Sequence, residues 1–347
     1  MAPPKLSLIE LNQLPPGLLD CDSQSLASIL GGPALIHLSG ERKPALFVSV
    51  LMHGNESVGW DAMRLVLRER LGKDGAGRLP RALSLFIGNP AAAAVGLRHL
   101  PEQPDFNRVW PGSELAPTTP EHAIMARVVE RMSARGCFAS IDLHNNTGNN
   151  PHYGCLNRIE PPFLQLAALF SRTVVYFIRP RGVQSQAFAE LCPAVTLECG
   201  KAGQQYGIEH ARNYIDSCLD LDSLSDQPPP AQDIDLFHTV AQVKIATGLE
   251  FGFPPRAAEL LLSPELEQFN FRELAAGTPF ARLDSAKEAA FDVRDENGQD
   301  VGARFFELKE RELRLRIPAM PSMLTRDERV IRQDCLCYLM ERYKIGA

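Results

Sequence analysis

Residues 45–60 read ALFVSVLMHGNESVGW. Seven of the first eight are apolar, Ser49 being the exception, which predicts a buried strand. Gly54 and Asn55 break that run, and the pattern from Ser57 onward opens a helix. His53 and Glu56, three residues apart, therefore stand where a strand ends. In an open α/β sheet that is where ligands bind.

A lone His-x-x-Glu also fits an ordinary turn with a solvated acid. A second apolar run gives it more weight. Residues 137–143 (CFASIDL) form another predicted strand, which stops at His144 and the amide-rich Asn145-Asn146-Thr147-Gly148. His53, Glu56 and His144 make a three-ligand set of the kind that holds a catalytic zinc with one position left for water. For Asp142, two residues before His144, two readings stay open: acceptor for an imidazole, or strand-end cap.

The rest of the chain bounds the answer. It has 347 residues, 45% of them hydrophobic, enough for one large and one smaller domain. A net charge of −6 gives no basic bias, so nucleic acid is excluded as a partner. No apolar run approaches a membrane span, so none is expected in a membrane. The first residues, MAPPKLSLIELNQLPPG, lack the charged-then-apolar pattern of a signal peptide, and a cytoplasmic protein is expected. The eight cysteines sit mostly in apolar runs and read as reduced, buried thiols. Cys335 and Cys337 are spaced too closely for a metal knuckle and read as structural.

Up to about residue 225, strands and helices alternate. Strands are expected at 34–38 (an edge strand), 45–52, 82–87, 137–143, 173–178 and 194–197, and helices at 58–71, 91–97, 119–134, 161–170, 186–191 and 206–221. Thr118 or Thr119 is the expected cap of the third of these helices. This pattern predicts an α/β fold with a mixed sheet and helices on both faces. Three successive prolines in LSDQPPPAQD mark a linker at 226–233. Beyond it, short alternating runs at 237–245, 278–283, 289–293, 304–308 and 313–317 predict a smaller β-rich domain, 234–347, closed by a helix after Arg326.

The strand ending at 197 brings Glu198 to its tip, a third ionisable residue in that position. Beside a metal-activated water, a carboxylate takes the proton and passes it to a leaving amine, which makes Glu198 the expected base. A developing oxyanion or a substrate carboxylate needs donors. The Pro-rich loop 98–112 offers Arg98, Asn107 and Arg108.

Four segments occur in order: His53-Gly54-Asn55-Glu56, Asp105-Phe106-Asn107-Arg108, Asp142-Leu143-His144-Asn145 and Leu197-Glu198-Cys199-Gly200. The set resembles the succinylglutamate desuccinylase/aspartoacylase family, relatives of the zinc carboxypeptidases. The four motifs cover the first two-thirds of the chain, and the β-rich tail fits that family's two-domain plan. The resemblance implies a carboxypeptidase-like catalytic domain at 1–225. It implies one Zn²⁺ per chain on His53, Glu56 and His144, with Glu198 as general base and acid. Arg98, Asn107 and Arg108 become substrate contacts, and the implied reaction is hydrolysis of a small-molecule N-acyl amino acid. A carboxypeptidase or peptide amidase on the same site is the alternative. The pattern departs from the family in two respects: the gap between Arg98 and Asn107 is longer than the family's usual one and holds Pro101 and Pro104, and aspartoacylases carry an Arg shortly before the catalytic Glu where 186–195 holds none, with Arg179 and Arg181 upstream as stand-ins. No particular oligomeric state is implied.

Overall fold

The structure is a computed structural model and describes residues 6–72, 77–284 and 290–344. It divides into two compact units. One comprises Met1–Asn145, His152–Val174 and Pro180–Asp235; the other comprises Asn146–Pro151, Val175–Arg179 and Leu236–Ala347.

The first unit is built on the strands β1 (Ile9–Leu11), β2 (Ala34–Leu38), β3 (Gly40–Val50), β4 (Leu79–Ile87), β5 (Cys137–Asn146), β6 (Tyr153–Leu156), β7 (Thr173–Tyr176) and β8 (Ala194–Lys201). Their spatial order is β1-β2-β4-β3-β5-β8-β6-β7. β3 runs parallel to both β4 and β5, whereas β2 is antiparallel to β4 and β6 to β8. The sheet is therefore mixed, as the alternation of elements predicts. Its helices are α1 (Leu26–Leu30), α2 (Val58–Leu71), α3 (Pro90–Ala94), α4 (Pro120–Arg135), α5 (Pro161–Ala168), α6 (Gln184–Phe188) and α7 (Gln205–Asp220).

The central strands are buried on both faces, which is why β3 reads as a continuous apolar run rather than an alternation. On one face α2 comes so close to β5 that a Cβ at Gly59 would stand 2.8 Å from Leu143 Cβ. On the other, Phe47 of β3 stacks on Phe188 of α6 at 4.2 Å, and Trp110 meets Phe86 and Phe188 edge-on at 5.8 and 5.9 Å. All four rings are buried, each stabilising the fold by about 1.5–3 kcal/mol relative to exposure.

Three details differ from the sequence reading. β2 is an interior strand, because the three-residue β1 pairs outside it. β5 and β8 run on through His144 and Glu198 instead of stopping before them. Thr119 occupies the cap position of α4, yet its hydroxyl bonds His122 Nδ1 at 2.9 Å and leaves the helix amides uncapped.

In the second unit, β9 (Asp235–Ile245) lies between β13 (Phe291–Arg294) and β17 (Cys337–Arg342), and β17 also pairs with β16 (Met320–Ser322). A separate five-stranded sheet follows the order β10-β11-β12-β15-β14, formed by Phe251–Gly252, Leu260–Leu262, Pro279–Leu283, Glu312–Leu315 and Phe306–Lys309. Phe251, Phe280, Phe305 and Leu339 lie in the core of this second unit. The expected closing helix is Glu328–Gln333. Ala289, the expected start of β13, and residues 1–5 fall outside the described residues. Among the described residues, no helix is long and apolar enough to cross a membrane.

Candidate active site

Strand alternation decides which side chains meet. Along β5, Ile141 and Leu143 point to the α2 face, so Ser140, Asp142 and His144 share the other. Along β8, Thr196 and Glu198 share one face, opposite Leu197 and Cys199. α6 touches both polar rows: Gln184 Nε2 donates to Ser140 Oγ at 2.5 Å and Thr196 Oγ1 to Ser185 Oγ at 3.0 Å. Ser140, Asp142, His144, Thr196 and Glu198 therefore line one face of the sheet.

His53 and Glu56 reach this face from the turn between β3 and α2. That turn is fixed at both ends. Gly54 packs where a Cβ would lie 2.2 Å from Ala93 N, and Gly54 N donates to Arg98 O at 3.1 Å. Val58 N, at the first turn of α2, donates to Asn145 Oδ1 at 3.1 Å, so β5 caps the helix that follows the motif.

The structure brings His53, Glu56 and His144 together. One donor atom from each lies within 4.8 Å of the other two, and all three side chains are buried. The Glu56 carboxylate spans the two rings, Oε1 2.8 Å from His53 Nδ1 and Oε2 2.7 Å from His144 Nδ1. Each ring's second nitrogen meets an aspartate: His53 Nε2 is 3.0 Å from Asp105 Oδ1, and His144 Nε2 is 2.8 Å from Asp142 Oδ2. Ser49 Oγ donates to the other Asp142 oxygen at 2.7 Å.

These donors suit zinc. The set is two imidazoles and one carboxylate, and each imidazole is oriented by an outer carboxylate. Around a tetrahedral ion with bonds of about 2.0–2.2 Å, donors stand roughly 3.3–3.6 Å apart. The two Nδ1···Oε separations, 2.8 and 2.7 Å, lie just inside that spacing.

Arg98 and Asp105 complete the ring around His53. Arg98 donates to Asp105 Oδ2 through Nε at 3.0 Å and Nη2 at 2.8 Å, and its Nη1 lies 3.8 Å from Glu56 Oε1. Asn107 holds three parts together. Its Nδ2 is 3.1 Å from His144 Nε2 and 3.4 Å from Asp142 Oδ2, and its Oδ1 accepts from Gln184 N at 2.9 Å. Arg108 Nη1 donates to Asn107 O at 2.8 Å.

Charge is concentrated here. Burial opposes ionisation of Glu56, but His53 and His144 outweigh it and hold the carboxyl well below its ordinary range. Burial likewise works against Asp105, and Arg98, His53 and Arg108 overcome it. His144 is raised despite burial, because Asp142 and Glu56 face it. Glu198 is the opposite case. Burial dominates and pushes its carboxyl up to about 7, with His144, His53 and Arg98 pulling back and Glu56 adding to the rise. Glu198 is 8% exposed, and its Oε2 has no hydrogen-bond partner among the described residues. A buried carboxylate oxygen without a partner is costly in a finished core and is what a reacting group needs.

The sequence reading did not assign Asp105, the acid that binds both His53 and Arg98. Its only signal is that it opens the Asp-Phe-Asn-Arg segment, 52 residues after His53. Of the two upstream arginines, Arg179 Nε donates to Glu296 O at 2.8 Å, and Arg181 Nε lies 3.8 Å from Glu114 Oε1.

The fold is that of a mixed-sheet α/β domain of the carboxypeptidase-like kind, with this cluster of His, Glu and Asp on one face of its sheet. The profile of the succinylglutamate desuccinylase/aspartoacylase catalytic domain matches residues 42–221, and the chain belongs to that family. Solved structures share the fold at low identity. Succinylglutamate desuccinylase from Chromobacterium violaceum is 16% identical, with a TM-score of 0.59 over 90% of this chain and 89% of its own. Murine aminoacylase 3 is 17% identical, with a TM-score of 0.56 over 88% and 98%. The product-bound ectoine utilization protein from Ruegeria pomeroyi is 15% identical, with a TM-score of 0.52 over 88% of each chain. A search of curated proteins by sequence finds no match.

Proposed function

We propose that this chain is a zinc-dependent amidohydrolase that cleaves an N-acyl amino acid to a carboxylate and a free amino acid. One observation carries the reading: His53, Glu56 and His144, buried and with both imidazoles held by aspartates, stand beside Glu198, whose Oε2 has no hydrogen-bond partner among the described residues.

His53, Glu56 and His144 are the residues that would hold the metal. Bound there, zinc would supply a Lewis acid and lower the pKa of water from 15.7 toward about 7. Glu198, as the carboxylate, accepts the proton of the attacking water at its free oxygen. The same carboxyl then returns that proton to the nitrogen of the leaving amine. The burial that raises Glu198 brings its basicity near neutral pH, where both transfers are downhill or level.

Arg98 and Arg108 supply positive charge for the substrate carboxylate and for the oxygen that gains charge as the amide carbon becomes tetrahedral. Asn107 acts with them, donating through Nδ2 to the Asp142 carboxylate that orients His144 and carrying the backbone carbonyl that anchors Arg108. Arg98 also faces Asp105, which keeps its guanidinium beside Glu56.

The same reading divides the chain into a catalytic domain at 1–225, a linker at 226–233 and a β-rich domain at 234–347. It places the protein in the cytoplasm, supported by eight free thiols. Amine release from zinc-loaded protein given formyl, acetyl and succinyl amino acids tests the reaction. Release from any member is expected. Release of terminal residues from peptides with none from N-acyl amino acids would replace the deacylase with a peptidase.

A further inference from the structure

Glu56 and Glu198 come from different elements, and one side chain ties those elements together. In the deacylase reading, on which this inference rests, Glu56 helps to hold the metal and Glu198 moves the proton, so their separation has to be set closely.

Glu56 lies on the turn that leads into α2, and Glu198 lies near the end of β8. Asn145, the residue after His144 on β5, reaches both. Its backbone N donates to Glu56 Oε2 at 3.1 Å. Its side chain leaves β5 on the face of Leu143, opposite His144. There Oδ1 accepts from Val58 N, the first residue of α2, at 3.1 Å, and Nδ2 donates to Gly200 O at 2.9 Å. Asn145 is 4% exposed, so water does not compete for these bonds. One partner is a donor and the other an acceptor. A carboxamide in one of its two orientations satisfies both, and a carboxylate of the same shape satisfies only the first.

The bond to Gly200 falls where β8 needs it. The ladder with β6 ends at the pair Tyr153 and Glu198, so past Glu198 that neighbour no longer holds the strand. Two residues on, Gly200 turns left-handed with φ 78°, in a space where a Cβ would stand 3.1 Å from His152 Nε2 and 3.3 Å from Tyr206 Oη. Glu198 therefore sits between the last rung of that ladder and a turn whose carbonyl Asn145 holds. The same carboxamide holds Val58, two residues after Glu56. A reacting group misplaced by about 1 Å costs on the order of 10²-fold in rate.

We infer that Asn145 is a positioning residue of the reaction: its carboxamide sets the separation of Glu56 and Glu198 by joining the start of α2 to the tip of β8. Asn145→Asp keeps an acceptor for Val58 N and loses the donor to Gly200 O, whereas Asn145→Ala loses both. In each variant kcat per bound zinc should fall by about 10–100-fold, with KM within about threefold of wild type. Zinc Kd, read by competition with a chelating dye, should weaken by no more than about threefold in Asn145→Asp, which keeps the start of α2 capped, and by more in Asn145→Ala. Hydrogen exchange of the metal-free protein reads the tether without turnover. The amides of 198–203 should exchange at least about tenfold faster in both variants, and those of 58–61 only in Asn145→Ala. A residue with a merely structural role would lower the zinc-loaded fraction and leave kcat per bound zinc unchanged. That result, or unchanged exchange at 198–203 in Asn145→Asp, would overturn this inference and leave the deacylase standing. No amine from wild type given any N-acyl amino acid would overturn the deacylase reading, and the role of Asn145 in it would fall as well.

Discussion

Replacing Asp105 by Asn keeps the shape of the side chain and removes its charge. Four bonds depend on that carboxylate: His53 Nε2 at 3.0 Å, Arg98 Nε at 3.0 Å, Arg98 Nη2 at 2.8 Å and Asn107 N at 2.8 Å. Loss of the outer carboxylate on a ligating His lowers metal affinity by about 10–100-fold, or roughly 1.4–2.7 kcal/mol. Arg98 loses a two-point charged partner worth about 1.5–3 kcal/mol. It can lean toward Glu56, 3.8 Å away, so we expect the variant to be about 2 kcal/mol less stable without metal. The sign with pH follows from Asp105 being held well below its ordinary range. Its contribution is complete above the unfolded carboxylate value of about 3.9 and is lost as pH falls through the lower folded value. Wild type and variant should therefore differ most at neutral pH and converge in acid. Zinc affinity is read by competition with a chelating dye, and stability by urea titration of the metal-free protein. A zinc Kd within threefold of wild type, together with an unchanged unfolding midpoint, would refute the claim that Asp105 orients His53 and anchors Arg98.

Other expectations follow from single residues. Glu198→Gln should bind zinc normally while kcat falls by about 10²–10⁴-fold, and full turnover in that variant would remove Glu198 as the base. In wild type, kcat/KM should rise with pH as Glu198 ionises, with an apparent pKa at or below about 7 because a nearby dication favours the carboxylate; an acid limb that persists in Glu198→Gln belongs to another group. Gly54→Ala forces a Cβ onto the backbone of Ala92 and Ala93, so melting temperature and zinc content should fall together, by at least the roughly 1–3 kcal/mol of ordinary overpacking. His37 is pushed down to about 4, by burial first and then by Arg135. Its depressed value means stability is complete above about 6.5 and declines as pH falls toward 4. His37→Gln, with Ser84 as its hydrogen-bond partner, should flatten that decline in acid unfolding curves.

The three side chains proposed to hold a metal could be picked out because polar residues interrupted runs that were otherwise apolar. His53 and Glu56 follow β3, whose two faces are both packed, so a His there had to be doing something other than filling the core. The same rule misplaced the ends of β5 and β8. It stopped the strands just before His144 and Glu198, whereas Ser140, Asp142 and His144 alternate with Ile141 and Leu143 to the end of β5. One face of those strands is lined by hydrogen-bonding groups and the other by α2 and α7, so alternation, not apolarity, marks their length. Asp105 was unreadable for a different reason. It lies in an irregular loop, where no periodicity says which acid turns inward, and only the folded chain sets it against His53. The interior position of β2 was hidden too, since β1 is only three residues long and carries a half-buried, mixed pattern.

The account turns on a single metal at His53, Glu56 and His144. The most direct measurement strips the protein with a chelator, returns zinc in known amounts, and follows both bound metal by mass spectrometry and amine release. The expected result is activity rising in proportion to bound zinc and levelling at one ion per chain, with His144→Ala binding none at the same concentrations. Full turnover by the stripped protein, or stoichiometric zinc binding in His144→Ala, would contradict it.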